Sequence, residues 1–257
     1  MRTITPHPAL QTEDHAEKRR DLAACFRWTY KMGWHEGVAN HFSVRTEGKS
    51  FLLNPDKMHF ARIKASDLIE YDAEDEATME REDAPDHTAW GLHGAIHRLC
   101  PHVGCAIHLH TKYATALASL ADSALPPVDQ TSAAFFGRVA VDDGYAGLAF
   151  EEEGERVCGF LSDPKISVLV MGNHGLMAVG ATVAEAFDTA YYFERACETY
   201  ITALSTGQAL RVLDGQTAAK VAQEAAGEAT KDGTPSHAKH LQELRAILDE
   251  EGSTYAH

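Results

Sequence analysis

The sequence has 257 residues, of which 44% are hydrophobic and 24% charged, as is ordinary for a globular protein with one substantial core or two small ones. Its formal net charge of −15 and the lack of a basic patch argue against a nucleic-acid partner, because phosphate backbones would be repelled. Residues 1–12 lack a long apolar segment and no apolar run reaches about 18 residues, so we expect neither a secretion signal nor a membrane span. Five scattered cysteines without a Cys-x-x-Cys pair indicate reduced thiols in a cytoplasmic protein.

Periodicity and turn residues divide the rest of the chain into helices and strands. In chain order the predicted elements are a helix at 15–32, strands at 41–45, 50–53 and 65–71, a helix at 88–99, a strand at 103–111, a helix at 112–120, a strand at 138–141, a helix at 151–161, strands at 166–171 and 176–179, and helices at 183–204 and 236–250. The acidic stretch 72–86 is interpreted as a solvated loop, since its carboxylates lack the fixed alternation of a calcium loop.

The order of these elements predicts how the chain is organised. We divide it into a loose lead-in (1–14), one domain (15–212) and a helical C-terminal extension (213–257) that packs on the body or on a neighbour. Strands dominate the middle and helices lie between and around them, which predicts a three-layer α/β or α+β sandwich. Neither a Gly-x-Gly-x-x-Gly motif nor a Walker-type loop occurs, so the sequence gives a nucleotide-binding fold no support.

The strand at 103–111 carries two histidines on one face. Because side chains alternate across a strand, Ala106, His108 and His110 point to the same side, and two neutral imidazoles on a rigid element suit a metal ion. A third histidine, His174, follows a buried strand in the tight turn Asn173-His174-Gly175. Hydrogen-bonded or surface histidines are the alternative for such a His-x-His pair, and the turn histidine favours the metal site.

Short motifs recur along the domain in a fixed order and spacing. They are Gly37-Val38-Ala39-Asn40-His41-Phe42-Ser43-Val44-Arg45, Asn54-Pro55, Ala65-Ser66-Asp67-Leu68, His93 with Ile96-His97, Pro101-His102-Val103, His108-Leu109-His110-Thr111, Asn173-His174-Gly175-Leu176 and Val179-Gly180. In this arrangement the chain resembles the class II aldolase/adducin head domain family over about residues 19–211. Gly144-Tyr145-Ala146-Gly147 and the Pro126-Pro127 region are more similar to the adducin branch.

The resemblance implies both an architecture and a metal. The architecture is a three-layer α/β/α sandwich with a central mixed, largely antiparallel sheet, assembled as a cyclic homotetramer with the site near a subunit interface. The metal is one divalent ion per chain held by His108, His110 and His174, with zinc expected first and manganese or cobalt as alternatives. In the aldolases such an ion polarises the substrate and stabilises an enediolate.

Two positions depart from the aldolase pattern. The aldolases carry a glutamate that serves as general acid/base on the helix before the His-x-His strand, and its position here is Ala89, which cannot transfer protons. The phosphate-binding loop is partly retained at Gly37 and Asn40, but its Ser-Gly pair corresponds to Asp56-Lys57. An anionic Asp56 beside a phosphate is unfavourable, so we expect a substrate that is not a sugar phosphate.

Three functional classes stay open. The first is a metal-dependent lyase that cleaves or decarboxylates a small, unphosphorylated hydroxy- or oxo-acid, with the metal stabilising an enolate; this is the class we favour. The second is an epimerase, and the third is a non-catalytic, adducin-like module that bears a metal and binds a ligand or partner. The candidates for a proton donor are His93, Tyr113 and Tyr145, each with a structural role as its alternative. Asn40 and Gly37 are the candidate substrate-binding residues.

Overall fold

The computed structural model describes residues 13–145, 147 and 150–257, without the side chains of residues 13, 14, 150 and 151. Most of the expected lead-in, residues 1–12, lies outside the described residues, as do Ala146 of the adducin-like motif and residues 148 and 149. The last two residues of the lead-in already belong to the first helix, which begins at Glu13.

Helices and strands are interspersed along the described chain. The strands are β1 (His41–Arg45), β2 (Ser50–Leu53), β3 (Ile69–Asp72), β4 (Cys105–Leu109), β5 (Val139–Asp142), β6 (Val168–Met171) and β7 (Gly175–Gly180). The helices are α1 (Glu13–Lys31), α2 (His87–Ala89), α3 (Ala95–Leu99), α4 (Lys112–Ala118), α5 (Gln130–Ala133), α6 (Phe150–Phe160), α7 (Val183–Ser205), α8 (Gly215–Ala226) and α9 (Ser236–Glu250). A π-helical turn, Trp90–Gly94, joins α2 to α3, and 3-10 turns lie at Ala65–Asp67 and Thr78–Glu80.

The described strands form one mixed sheet in the order β3-β2-β1-β4-β7-β6-β5. Each neighbouring pair is antiparallel except β5 and β6, which are parallel. β4 lies at the centre of the sheet, and its His108 is opposite His41 of β1 and Met177 of β7. The expectation of a mixed, largely antiparallel sheet is confirmed.

Alternation along β4 separates two apolar cores, one on each face of the sheet. Cys105, Ile107 and Leu109 belong to a large cluster with side chains of α1, α4, α7 and α9. Ala106 belongs to a second cluster with side chains of α3 and α6. Helices therefore cover both faces, which confirms the three-layer α/β/α sandwich. His108 shares the face of Ala106, so its ring enters the layer between the sheet and the α2–α3 and α6 helices.

The C-terminal helix α9 packs on the first helix. Leu241 and Leu244 of α9 join the large cluster, and the indole Nε1 of Trp28 donates a hydrogen bond to the carbonyl oxygen of Leu244 at 2.9 Å. Leu248 and Tyr255 are buried in a smaller cluster with alanines of α1. In this chain the extension therefore lies against the body of the domain.

The third strand is shorter than expected. It begins at Ile69 rather than at residue 65, because Ala65–Asp67 forms a 3-10 turn. The backbone amides of Ala65 and Ser66 donate to the carbonyl oxygens of Tyr255 and His257, at 2.8 and 2.9 Å, instead of pairing with a strand of the sheet. The turn thus anchors the C-terminal segment.

The five cysteines are buried and unpaired. Within the described ranges, no helix is long and apolar enough to cross a membrane.

Candidate metal centre

Three histidines meet beside the central strand pair. His108 is on β4, His110 follows the end of β4, and His174 lies in the turn between β6 and β7. One ring nitrogen of each lies within 4.8 Å of those of the other two, and the ring centroids of each pair are 4.8 Å apart. The structure therefore brings the expected trio together. His110 differs from expectation in one respect, because β4 ends at Leu109 and His110 is the first residue beyond it.

The turn that carries His174 requires an unusual backbone. Asn173 has a φ of +55°, a left-handed conformation that asparagine adopts more readily than most residues. A Cβ atom on Gly175 would lie 2.5 Å from the carbonyl oxygen of Leu109 and 2.7 Å from Cδ2 of His110. Only glycine fits there, and this close approach holds the turn histidine against the other two.

The outer nitrogens of two of the rings are held by acceptors. Nδ1 of His108 donates to the carbonyl oxygen of Leu176 at 2.9 Å, and Nδ1 of His110 donates to the carboxylate of Glu36. A neutral ring with its proton on Nδ1 presents a lone pair at Nε2. The Nε2 atoms of His108 and His110 are 3.0 Å apart. Because two lone pairs at that distance repel unless a positive charge lies against them, this donor set fits a metal ion.

Burial favours the neutral, metal-binding form of these rings. Burial, followed by the neighbouring His41, lowers the pKa of His108 well below its ordinary value. Burial, followed by His110, lowers the pKa of His174 to about 4, with a smaller opposing effect of Glu36. Since a metal binds imidazole only without its second proton, both rings are ready ligands at neutral pH.

The centre opens into a pocket of about 200 Å³. The candidate Asn40 lines this pocket with a φ of +73° and a side chain that is only 4% exposed. Neither atom of its amide has a hydrogen-bond partner among the described residues. A buried amide without partners is destabilising, so its position points to a bound group that would satisfy it. Gly37, with a φ of +56°, shapes the turn before Asn40 and is not among the described residues that line the pocket.

A row of buried polar side chains extends from the centre into the second layer. The ring of His41 stacks on that of His108 with centroids 4.9 Å apart, and its Nδ1 lies 2.8 Å from Nε2 of His93. The hydroxyl of Ser43 then bridges Nδ1 of His93, at 2.5 Å, and Nε2 of His97, at 2.7 Å. Burial, followed by His97, lowers the pKa of His93 to about 3. His93 is therefore a neutral core residue that reaches the centre only through His41.

The two candidate tyrosines lie in different places. The ring centroid of Tyr145 is 5.6 Å from that of His174, and the side chain is 44% exposed. Tyr113 lies instead in a separate depression that it shares with Trp34 and Tyr191, because α4 begins at residue 112 and turns the side chain toward α7. Of the three candidates for a proton donor, this chain brings only Tyr145 directly to the centre.

The structure also places at the centre three residues that were not among the candidate site residues of the sequence analysis. They are Glu36, His41 and Glu153. His41 lies there because β1 pairs with β4, and Glu36 because its loop precedes β1; neither has a local signal. Glu153 does have a local sequence signal. It stands four residues before Val157 and eight before Leu161, so a helix places all three side chains on one buried face. Burial raises the pKa of the Glu153 carboxyl against the effect of nearby Arg156.

The pocket rim carries the Asp56-Lys57 pair. Nζ of Lys57 lies 2.7 Å from a carboxylate oxygen of Asp86 and 3.2 Å from one of Asp56. Burial acts to raise the pKa of Asp86, but hydrogen bonds from Lys57 and Thr88 outweigh it, and the pKa lies well below its ordinary value. The lysine is thus held between carboxylates.

Comparisons with known proteins agree on one family. The Class II Aldolase and Adducin N-terminal domain matches residues 20–201. A solved structure of an aldolase II superfamily protein from Pseudomonas syringae is 31% identical, with a TM-score of 0.84 over 96% of this chain and 98% of that one. The L-fuculose 1-phosphate aldolase from Glaciozyma antarctica PI12 is 25% identical, with a TM-score of 0.78 over 97% of each chain. Gamma-adducin of Homo sapiens is 34% identical over 205 residues, which are 77% of this chain and 29% of that longer protein. With a family match over most of its length, the chain belongs to the class II aldolase and adducin family.

Proposed function

We propose that this protein is a metal-dependent carbon–carbon lyase of the class II aldolase type, with one divalent metal held by His108, His110 and His174. The observation that carries the proposal is the pair of Nε2 atoms of His108 and His110, 3.0 Å apart, beside the half-buried imidazole of His174. Three imidazoles suit zinc, and manganese or cobalt are the alternatives. A bound metal supplies Lewis-acid stabilisation of the negative charge that develops when a carbon–carbon bond breaks.

The pocket supports a small, unphosphorylated hydroxy- or oxo-acid as the substrate. Its volume of about 200 Å³ suits a small molecule. Lys57 is already paired with Asp56 and Asp86, so the described lining offers no unpaired lysine or arginine to a phosphate dianion. The amide of Asn40 offers an unpartnered donor and acceptor that suit a substrate hydroxyl.

Proton transfer has to use a group other than position 89, because Ala89 lines the pocket with only a methyl group. We assign this role to the hydroxyl of Tyr145, whose ring lies beside His174 and whose side chain is 44% exposed. His93 is the poorer candidate, since its hydrogen bonds to His41 and Ser43 occupy both ring nitrogens.

A non-catalytic module that binds a metal and a ligand is the second candidate. Alanine at position 89 favours it, together with the similarity to gamma-adducin. Both candidates bind a metal, and only the lyase turns a substrate over.

Metal content is the first test. Elemental analysis of the untagged protein should give close to one divalent metal per chain, and His108→Ala should lose it. His237→Ala, on α9 and away from the pocket, is the matched control and should keep the metal. Full metal content in His108→Ala would contradict the proposed metal centre.

Turnover is the second test. The metal-loaded protein is assayed against unphosphorylated hydroxy- and oxo-acids and, in parallel, against fuculose, rhamnulose and ribulose phosphates. We expect cleavage or decarboxylation of an acid and loss of that activity in His108→Ala. Robust cleavage of a phosphosugar would contradict the proposed substrate class. A metal-loaded protein that is inert across the whole panel would favour the binding module.

A further inference from the structure

Glu153, a buried acid on α6, lies beside the metal centre of the proposed function, on which its role below rests. We propose that the Glu153 carboxylate is the outer partner of His174: it accepts a hydrogen bond from Nδ1 and thereby directs Nε2 of that ring toward the metal. Glu153 is on this view a positioning residue, which acts on the metal through the histidine.

The other two rings of the centre each have a partner at the outer nitrogen. Nδ1 of His108 is bound to the carbonyl oxygen of Leu176, and Nδ1 of His110 is bound to the carboxylate of Glu36. Each ring is thus held at its outer nitrogen and presents Nε2 to the other, at 3.0 Å. Outer partners of this kind fix the tautomer and the orientation of metal-binding histidines. A third ring in the same centre needs an acceptor at its own Nδ1.

An unpartnered ring nitrogen of His174 faces the buried carboxylate of Glu153. Nδ1 of His174 is buried and has no hydrogen-bond partner among the described residues. Oε1 of Glu153 lies 3.8 Å from it, and the Glu153 side chain is only 4% exposed. The described part of the chain gives this carboxylate no hydrogen bond; besides His174, Nη2 of Arg156 lies 3.8 Å from it. A buried carboxylate and a buried N–H at this separation gain a charge-assisted hydrogen bond by an approach of about 1 Å.

The packing of α6 explains why the carboxylate enters at this point. Gly154 lies against the π-helical turn so closely that a Cβ atom there would be 2.1 Å from the carbonyl oxygen of Gly91. The adjacent Glu153 is thereby directed into the pocket that Ala89 also lines. On the far side, Nε of Arg156 is held by Asp142 at 2.9 Å, which keeps this guanidinium from closing on Glu153. With alanine at position 89, the acid that enters the pocket beside His174 comes from α6.

The test compares Glu153→Leu, which removes the acceptor, with Glu153→Gln, which keeps an acceptor oxygen of similar shape. Glu152→Leu, one residue away and exposed, is the matched control. Zinc affinity is measured by competition with a chromogenic chelator. We expect Glu153→Leu to weaken zinc binding about 10- to 100-fold, Glu153→Gln to recover most of that loss, and Glu152→Leu to bind as the unmodified protein does.

A second readout reports on the ring itself. Long-range nitrogen–proton NMR of histidine-labelled, zinc-loaded protein should show the proton of His174 on Nδ1 in the unmodified protein and in Glu153→Gln. In Glu153→Leu this pattern should be lost for His174 alone, whereas His108 and His110 keep theirs. A general loss of structure would change all three rings, so it would not be mistaken for the proposed effect.

The outcomes separate the inference from the function beneath it. If the unmodified protein binds no zinc, the proposed function fails. If it binds zinc and Glu153→Leu binds it within about twofold, with an unchanged His174 pattern, the outer-partner role alone is overturned. The role is overturned as well if the visible spectrum of the cobalt-loaded protein shows a lower coordination number in Glu153→Gln, because Glu153 would then be a direct ligand.

Discussion

Acidification from pH 7 to pH 5 should destabilise the metal-free protein, because it carries buried imidazoles that resist protonation. Burial is the largest cause that lowers the pKa of each of them: His41, His93, His97, His108 and His174. The values for His93 and His174 are about 3 and about 4. In the unfolded chain the pKa returns to about 6.5, so between pH 7 and pH 5 the unfolded state takes up protons that the folded state does not.

This difference in proton uptake sets the sign and the size of the change in unfolding free energy. Each such histidine contributes stability that is full above pH 6.5 and is lost as the pH falls below it, down to the folded pKa. From pH 7 to pH 5 the loss is about 2 kcal/mol for His93 and about the same for His174. Burial raises the pKa of the carboxyls of Asp21, Glu153 and Glu194, which acts in the opposite direction at the acid end, so the net loss is smaller than the sum over the histidines.

The assay is urea unfolding with a chelator present, at pH 7 and at pH 5, for the unmodified protein and for His93→Gln. Glutamine does not titrate, so the variant should lose about 2 kcal/mol less on acidification than the unmodified protein, even if it is less stable at pH 7. Equal acid losses in His93→Gln and the unmodified protein would refute the reasoning.

Other expected outcomes concern packing, capping and assembly. Gly154→Ala should lower the free energy of unfolding by about 3 kcal/mol, because the new Cβ would collide with the carbonyl oxygen of Gly91. Gly159→Ala, on the same helix, is the control: its Cβ meets nothing within 4 Å, so the free energy of unfolding should rise by about 0.5 kcal/mol. Glu194→Gln should lower the free energy of unfolding by about 2 kcal/mol, since this buried carboxylate accepts hydrogen bonds from a hydroxyl and two backbone amides at the start of α4. Urea unfolding is the measurement, and an unchanged stability of Gly154→Ala or of Glu194→Gln would contradict the corresponding expectation. Light scattering should give a homotetramer, and a monomer in dilute solution would contradict that assembly.

The histidine trio could be predicted from the sequence because each part of it has a local signature. The alternation around His108 indicates a strand, and the glycine after His174 indicates a tight turn. The fold class followed from the same patterns, and the sheet is mixed and largely antiparallel as expected. The end of β4 at Leu109 could not be predicted from the sequence, since the strand boundary depends on pairing with β1 and β7.

The surroundings of the trio could not be predicted, because they depend on contacts between distant segments. His41 reaches His108 through the register of two strands that are more than sixty residues apart. Glu36 reaches His110 from a loop with no regular pattern. The spacing of Glu153 with Val157 and Leu161 does indicate a buried face of α6, but the direction of that face depends on how the helix crosses the π-helical turn.

The hydrogen bond from Trp28 to the carbonyl oxygen of Leu244 joins residues that are 216 positions apart. During synthesis, α1 is made early, yet the apolar surface that it shares with α9 stays uncovered until Leu244 and Leu248 have been added. Contacts between segments this far apart in the sequence form more slowly than the local contacts within a helix. We therefore expect the last kinetic phase of folding to be the docking of α9 on α1.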